Sequence, residues 1–292
     1  MTNTPLLYIG TAGWSYDDWV GKFYPFSHSK EFGWLKYYAR YFNTVEVNSS
    51  YYSYISPRTV EGWLKQVDEE KDFLFTVKLH MDFTHRHNYN DEKIAAVKQN
   101  LNLLMNANRL GGLLLQFPYS FACNEAAIDY LRILIDIFEE YDKFVEVRHK
   151  SWRGKRAKTI TFCSVDQPAI GQAINFNPIV NRAMIYARFH GRNRKAWLES
   201  IKNYGKKQTY AERSERYNYL YSPGELIEIA DALKETYDSA GKIFVIMNNH
   251  PQGKAVANAF ELLHYLKNGA KIKMPGTILK AYPNLKEFLQ NS

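Results

Sequence analysis

A chain of 292 residues with 46% hydrophobic and 23% charged side chains is long enough to bury a sizeable core and too evenly mixed to be disordered or fibrous. No apolar run reaches the roughly 18 residues a membrane-spanning helix needs, and MTNTPLLYIG lacks the basic flank and apolar core of a secretory leader, so a cytoplasmic location without a membrane partner is expected. Cys123 and Cys163 can build neither a disulfide framework nor a spaced metal site, and a net charge of +8 favours anionic partners without naming one.

Apolar, β-branched runs recur along the chain with helical patterns between them. The runs LYIGTAGW (7–14), TVEVNSS (44–50), FLFTVKLH (73–80) and GLLLQFP (112–118) predict four strands. Ser56 before Pro57 predicts the start of a helix ahead of the third strand, and Asn124 caps another after the fourth. KFVEVRH (143–149), ITFCSVD (160–166), MIYARFH (184–190) and KIFVIMNNH (242–250) predict four more strands. Only RGKRAKT parts the fifth strand from the sixth, too little for a full helix. Ser222, Pro223 and Glu225 open a helix before the eighth strand, and Gly253 opens one after it. Eight strands with outer helices predict a single-domain (β/α)₈ TIM barrel over about 7–269 with a C-terminal extension at 270–292. Its fifth βα unit is irregular, and a basic insertion follows strand seven.

Charged residues alternate into the late part of these strands. Glu46, Asn48 and Ser50 share one face of the second strand; Thr76, Lys78 and His80 one face of the third; Gln116 ends the fourth. Glu146 and Arg148 share a face of the fifth, Tyr186, Arg188 and His190 of the seventh, and Asn248 and His250 of the eighth. Side chains of a strand alternate between the barrel interior and the helix layer, and barrel active sites lie at the carboxyl ends of the strands. These residues are therefore expected to converge on one mouth. Buried charge is costly unless paired or used, which makes the mouth a candidate site. The plainer reading of Glu146 and Arg148 is a structural ion pair.

Within that mouth, Lys78 and Arg148 are suited to holding a carboxylate or phosphate while Glu46 or Glu146 moves a proton, and Lys78 is also suited to Schiff-base chemistry. Glu46, Lys78, Glu146, Arg148 and His190 are the expected catalytic residues. Arg188, Asn48, Gln116 and Asn248 are expected to bind substrate. Trp14 in GTAGWSYDDWVGKFYP and the tyrosines of SSYYSY would wall the pocket. Gly253, at a helix N-terminus after strand eight, is a candidate phosphate contact. No HExxH motif occurs, and Lys78, Arg148 and Arg188 would crowd any cation, so neither metal nor cofactor is expected. The segment 188–216 holds nine basic residues against three acidic ones, with Tyr204 and Tyr210 among them and Tyr217, Tyr219 and Tyr221 directly after. That mixture keeps a nucleic-acid partner open.

GTAGWSYDDWVGKFYP, FNTVEVNSSYY, FTVKLHMDFTH, LLLQFP, FVEVRHKSW, YARFHG and MNNHPQGKAVANA resemble, in order, the motifs of the YecE-like family, a domain of unknown function, from about residue 8 to residue 267. The resemblance implies a TIM barrel, broadly similar in shape to sugar isomerases and to a DNA-repair endonuclease. It adds His85 and Trp152 to the substrate-binding set. Two departures stand out: a short region between strands five and six, and HPQG in place of a more acidic ending after Asn249. The expected function is acid/base catalysis on a small anionic, phosphorylated or sugar-like substrate. A nucleic-acid-binding module and a metal-dependent phosphodiesterase are the alternatives.

Overall fold

The computed structural model describes residues 5–155, 158–203 and 205–290. Tyr204, expected among the aromatics of the basic insertion, and Arg156, within the short fifth connection, lie outside the described residues.

Among those residues nine strands form one sheet: β1 Leu6–Ala12, β2 Thr44–Val47, β3 Leu74–Lys78, β4 Leu110–Gln116, β5 Lys143–Glu146, β6 Thr161–Phe162, β7 Ser164–Asp166, β8 Met184–Phe189 and β9 Lys242–Met247. All pairings are parallel, in the order β6-β5-β4-β3-β2-β1-β9-β8-β7. β6 and β7 occupy one barrel position, broken at Cys163: β6 pairs with β5, β7 with β8, and the Cys163 N–H donates to the Val145 carbonyl at 2.9 Å. The result is a nearly closed parallel barrel with helices outside, the fold class expected from the strand runs.

Helix starts follow local chemistry. Ser56 accepts from the Thr59 N–H ahead of the helix Pro57–Gln66, and Asn124 accepts from the Ala127 N–H ahead of Glu125–Ile137. Ser222 and Glu225 form a reciprocal capping box on Pro223–Lys234. Replacing Ser222 by Ala removes the acceptor for the Glu225 N–H, and a loss of about 1 kcal/mol is expected in urea unfolding. The fifth connection carries only the 3-10 turn Lys150–Trp152 among its described residues.

Alternation divides the core in two. Tyr8, Ala12, Leu74, Leu114, Phe144, Val165, Tyr186, Phe244 and Ile246 point into the barrel, while a larger apolar layer fills the space between sheet and helices. Inside, Phe144 stacks on Tyr186 with centroids 4.1 Å apart, and Tyr8 on Phe244 at 4.8 Å. Gly112 makes room for this plug: it adopts φ +144°, and a Cβ there would stand 2.6 Å from the Phe144 ring. The amino-terminal half of the barrel is thus filled by rings. The next inward position on each strand lies above them, nearer the carboxyl ends.

Strands are shorter than their apolar runs imply. β2 stops at Val47 and a helix takes Ser49–Tyr52; β3 stops at Lys78; β9 stops at Met247. The chain leaves the sheet where side chains begin to hydrogen-bond the backbone, as Ser50 does to the carbonyls of Val47 (2.9 Å) and Lys78 (2.6 Å). The C-terminal extension packs back on the barrel through Ile278 and Leu285, and Thr277 Oγ1 donates to the Phe23 carbonyl at 2.6 Å.

Candidate functional site

Directly above the aromatic plug lies a buried ionic lattice. Arg188 of β8 reaches across to β2, where its Nε donates to Glu46 Oε2 at 2.9 Å and its Nη2 to Glu46 Oε1 at 2.6 Å. Its Nη1 donates to Glu146 Oε2 of β5. Arg148, two residues on, donates through Nε to Glu146 Oε1 at 2.8 Å. Tyr186 OH completes Glu46 at 2.8 Å and accepts in turn from Thr76 Oγ1 at 2.8 Å. Glu46, Glu146 and Arg188 are all at most 1% exposed. Burial on its own would raise the Glu146 pKa, but Arg188 and Arg148 outweigh it and hold the carboxyl well below the usual range. Two carboxylates and two guanidiniums therefore neutralise one another inside the barrel.

A second layer is less completely paired. His190 is buried, with Nδ1 2.8 Å from Asn248 Nδ2. With the amide donating, the neutral ring carries its proton on Nε2, which lies 3.4 Å from Glu146 Oε1 and makes no hydrogen bond among the described residues. Burial brings its pKa down to about 3, against the pull of Glu146. Lys78, half-buried at the end of β3, places Nζ 4.0 Å over the Tyr51 ring. Among the described residues its amine makes no hydrogen bond and no ion pair. Burial, with Arg188 next in weight, lowers its pKa to about 7, and Glu46 and Glu146 only partly offset this.

The rim completes the site. His85 bonds through Nδ1 to Thr84 Oγ1 at 2.9 Å and stands edge-on to Tyr51, and partial desolvation with Lys78 and Arg148 lowers its pKa to about 4. Trp197, from the helix Arg194–Lys202 in the basic insertion, lies between the guanidiniums of Arg148 (5.5 Å) and Arg216 (5.3 Å). Among the described residues its buried indole N–H finds no hydrogen-bond partner, nor does the buried Asn48 Oδ1.

The family model for proteins of unknown function DUF72 matches residues 8–280. The chain belongs to the DUF72 family. The curated relative YunF of Bacillus subtilis is 30% identical over 283 aligned residues, covering 89% of this chain and 95% of that one. YecE of Escherichia coli is 28% identical over 159 residues, 53% of this chain and 54% of that protein. Among solved structures, a DUF72 family protein from Thermotoga maritima superposes with a TM-score of 0.75 at 31% identity over 90% of this chain and 100% of its own. One from Enterococcus faecalis, at 23% identity and a TM-score of 0.74 over 92% and 98%, shares the fold.

In this DUF72 barrel the expected mouth residues Glu46, Lys78, Glu146, Arg148, Arg188, His190 and Asn248 come together. Asn48 and Gln116 flank them, Gln116 in register with Glu146. Other expectations need correction. The chain has left the strand before His80, which instead accepts from the Asp82 N–H and stacks on Tyr54 at 4.1 Å. His250 has likewise left its strand and stacks on Tyr16 at 4.6 Å. Trp14 packs edge-on against Trp63 in the helix layer, and Trp152 is buried on Phe121, its indole N–H given to the Phe121 carbonyl at 2.7 Å. Gly253 starts its helix with φ +79°, but its N–H is bonded to the His250 carbonyl, and the Gln252 N–H is bonded to Asp18 Oδ2 at 2.5 Å. A carboxylate of the chain itself stands where a phosphate was expected. Proton transfer by Glu146 does not fit a carboxyl held so far below neutrality.

Among the described residues no three His, Cys, Asp or Glu side chains gather into a cluster able to hold a metal ion, and no helix is long and apolar enough to cross a membrane. Asp166, whose carboxylate ends β7, is taken up by Arg192 at 2.9 Å and by Tyr221 OH at 2.5 Å. The basic insertion divides. Arg188 and Arg192 are consumed by internal carboxylates and Arg216 lies on Trp197 and Tyr217, while Arg194, Lys195, Lys202, Lys206, Lys207 and Arg213 are exposed. Trp197 was missed by sequence reasoning. The signal for it was Asn193 as a helix cap, which starts a helix four residues before Trp197 and brings it back over the mouth.

Proposed function

We propose that the mouth binds a small anion-bearing substrate, phosphorylated or sugar-like, whose anionic group rests between Arg148 and Lys78 while Lys78 moves a proton. One observation carries this reading: Glu46 and Glu146 are matched by Arg188 and Arg148, and among the described residues Lys78 beside them forms no ion pair. A bound anion supplies the missing charge. Glu46 and Glu146 then set the field and geometry rather than exchange protons, and neutral His190 and His85 offer hydrogen bonds to hydroxyl groups. An amine titrating near neutrality suits an isomerase, lyase or hydrolase working by acid/base catalysis.

The test is calorimetric titration of the protein with inorganic phosphate at pH 8 in buffers of different ionisation enthalpy. An anion beside Lys78 raises the amine's pKa, so binding is expected to take up protons. Lys78→Met is expected to abolish that uptake and to weaken binding by about ten- to a hundredfold, the worth of one charge-assisted hydrogen bond. Phosphate binding untouched by the substitution removes Lys78 from the site, and no binding of phosphate or small carboxylates removes the reading.

The exposed cations of the basic insertion favour a second reading, a nucleic-acid backbone lying along the rim. It requires affinity falling with salt at a log–log slope of about −0.9 per phosphate contacted. Metal-dependent phosphodiester cleavage has less support, because the oxygens of Glu46 and Glu146 already accept from guanidiniums.

A further inference from the structure

We infer that Lys78 is a covalent nucleophile, and that the substrate class is an anionic aldehyde or ketone whose carbonyl condenses with the Lys78 amine while its carboxylate or phosphate rests on Arg148. This builds on the anion-binding reading of the same mouth and names its substrate.

The strongest support is a contrast between two lysines of the barrel, on β5 and β3 with β4 between them. Lys143 opens β5 at the amino-terminal end, and its Nζ donates to the carbonyls of Phe138 (2.9 Å), Glu139 (3.3 Å) and Tyr141 (2.8 Å). All three of its hydrogens are engaged, as a structural ammonium requires. Lys78 closes β3 at the opposite end and has no such partner among the described residues. Burial and the guanidiniums of Arg188 and Arg148 disfavour an ammonium there and leave the lone pair available, outweighing the Tyr51 face and the carboxylates of Glu46 and Glu146, which favour the charge. A lysine in a hydrophobic or cationic setting, reachable from solvent, is a nucleophile by the same electrostatics that make it a poor structural cation. Lys78 is half-buried as a residue, with Tyr51 over its Nζ, so a small carbonyl compound must approach the amine from the side away from that ring.

The chemistry balances without an oxidant or reductant. The neutral amine attacks the carbonyl carbon, a C–N bond forms as the C=O π bond breaks, and a proton passes from nitrogen to oxygen. A second proton, from solvent, lets the C–O bond break and water leave, giving a protonated imine. Positive nitrogen then draws electrons from the adjacent carbon, which favours breaking a C–H or C–C bond beside the former carbonyl. Arg148 fixes the anionic end, and neutral His85, close enough for Lys78 to depress its pKa, can relay the proton at the rim.

The experiment incubates the full chain with pyruvate, and separately with dihydroxyacetone phosphate, adds sodium borohydride, and maps the reduced adduct by peptide mass spectrometry. At pH 7 labelling at Lys78 is expected to exceed that at any other lysine by more than about tenfold, because ordinary lysines near 10.4 are almost wholly protonated. Excess inorganic phosphate should suppress it, and Lys78→Arg, which keeps the cation, should abolish it while retaining phosphate binding. The wild-type map decides the matter even where the variant does not fold. If phosphate binds and neither probe labels Lys78 preferentially, the covalent role is overturned and the anion site stands. If phosphate does not bind and Lys78 is still labelled, the nucleophile stands and the anion reading falls.

Discussion

Arg188→Leu is expected to destabilise the fold by about 3–5 kcal/mol at pH 7, the cost of removing one side of a buried ion pair. The guanidinium touches Glu46 twice and Glu146 once, and both carboxylates are fully buried. Without it Glu46 keeps the Tyr186 hydroxyl and Glu146 keeps Arg148, too little to offset desolvation of two negative charges lodged in one barrel. The pH dependence has a definite sign. In the wild type the folded pKa of Glu146 is depressed, so its stabilisation is full above the unfolded carboxylate pKa and is lost as pH falls through the folded value. In the variant, desolvation raises the folded pKa instead, and the unfolded chain then holds fewer protons than the native one as pH falls. The deficit between variant and wild type should therefore shrink from pH 7 to pH 5 in urea unfolding. A deficit that is below about 1 kcal/mol, or that grows on acidification, would mean that Arg188 does not neutralise this pair.

Lys78→Met is expected to have the opposite effect. It removes a desolvated cation facing Arg188 and Arg148 and leaves every contact of the Glu46, Arg188, Glu146 and Arg148 lattice in place. Thermal unfolding should give a midpoint equal to or above that of the wild type, while phosphate binding weakens by about ten- to a hundredfold. Here too the sign follows from linkage. The amine titrates near 7 when folded and near 10.4 when unfolded, so between those values the unfolded chain binds the extra proton and wild-type stability rises with pH. Below pH 7 the penalty of charging Lys78 is complete. The advantage of the methionine variant should accordingly be greatest at pH 6 and fade toward pH 10. A midpoint lowered by many degrees with phosphate binding intact would make Lys78 architecture. An advantage growing with pH would contradict the depressed pKa.

A strand that aims Glu146 and Arg148 inward is explained by neither of its two simplest readings alone. The pair is structural, since Glu146 is clasped by Arg148 and by Arg188 from across the barrel. It also forms the floor of the mouth, and it is Lys78 above it that remains chemically free. The same residue types at the same spacing thus divide into a buried, neutralised layer and an open one. The division depends on how far each strand has risen past the aromatic plug of Phe144, Tyr186 and Phe244.

Some of this was written locally. Two-residue alternation determined that Glu46, Lys78, Glu146, Arg148, Arg188 and His190 face the barrel interior, because a strand must send alternate side chains to opposite faces whatever lies beyond it. Ser56, Asn124 and Ser222 marked their helices for the same reason, since a cap bonds an N–H only a few residues away. Everything that depends on a neighbour distant in sequence was decided by the tertiary structure. Strand order and register put Arg188 between Glu46, 142 residues away, and Glu146, so a set of charges with several possible pairings acquired one. The fold also brought Asp18 to the helix start at Gln252, 234 residues on, filling the place where a phosphate was expected. The end of β3, set by where the chain turns off the sheet, sent His80 to Tyr54 and the Asp82 N–H, the end of β9 put His250 between Tyr16 and Tyr217, and the helix Arg194–Lys202 brought Trp197 over the mouth. Alternation is a property of one strand's backbone, whereas partner, free amine and rim belong to the closed barrel, where the burial and neighbouring charge that shift a pKa first exist.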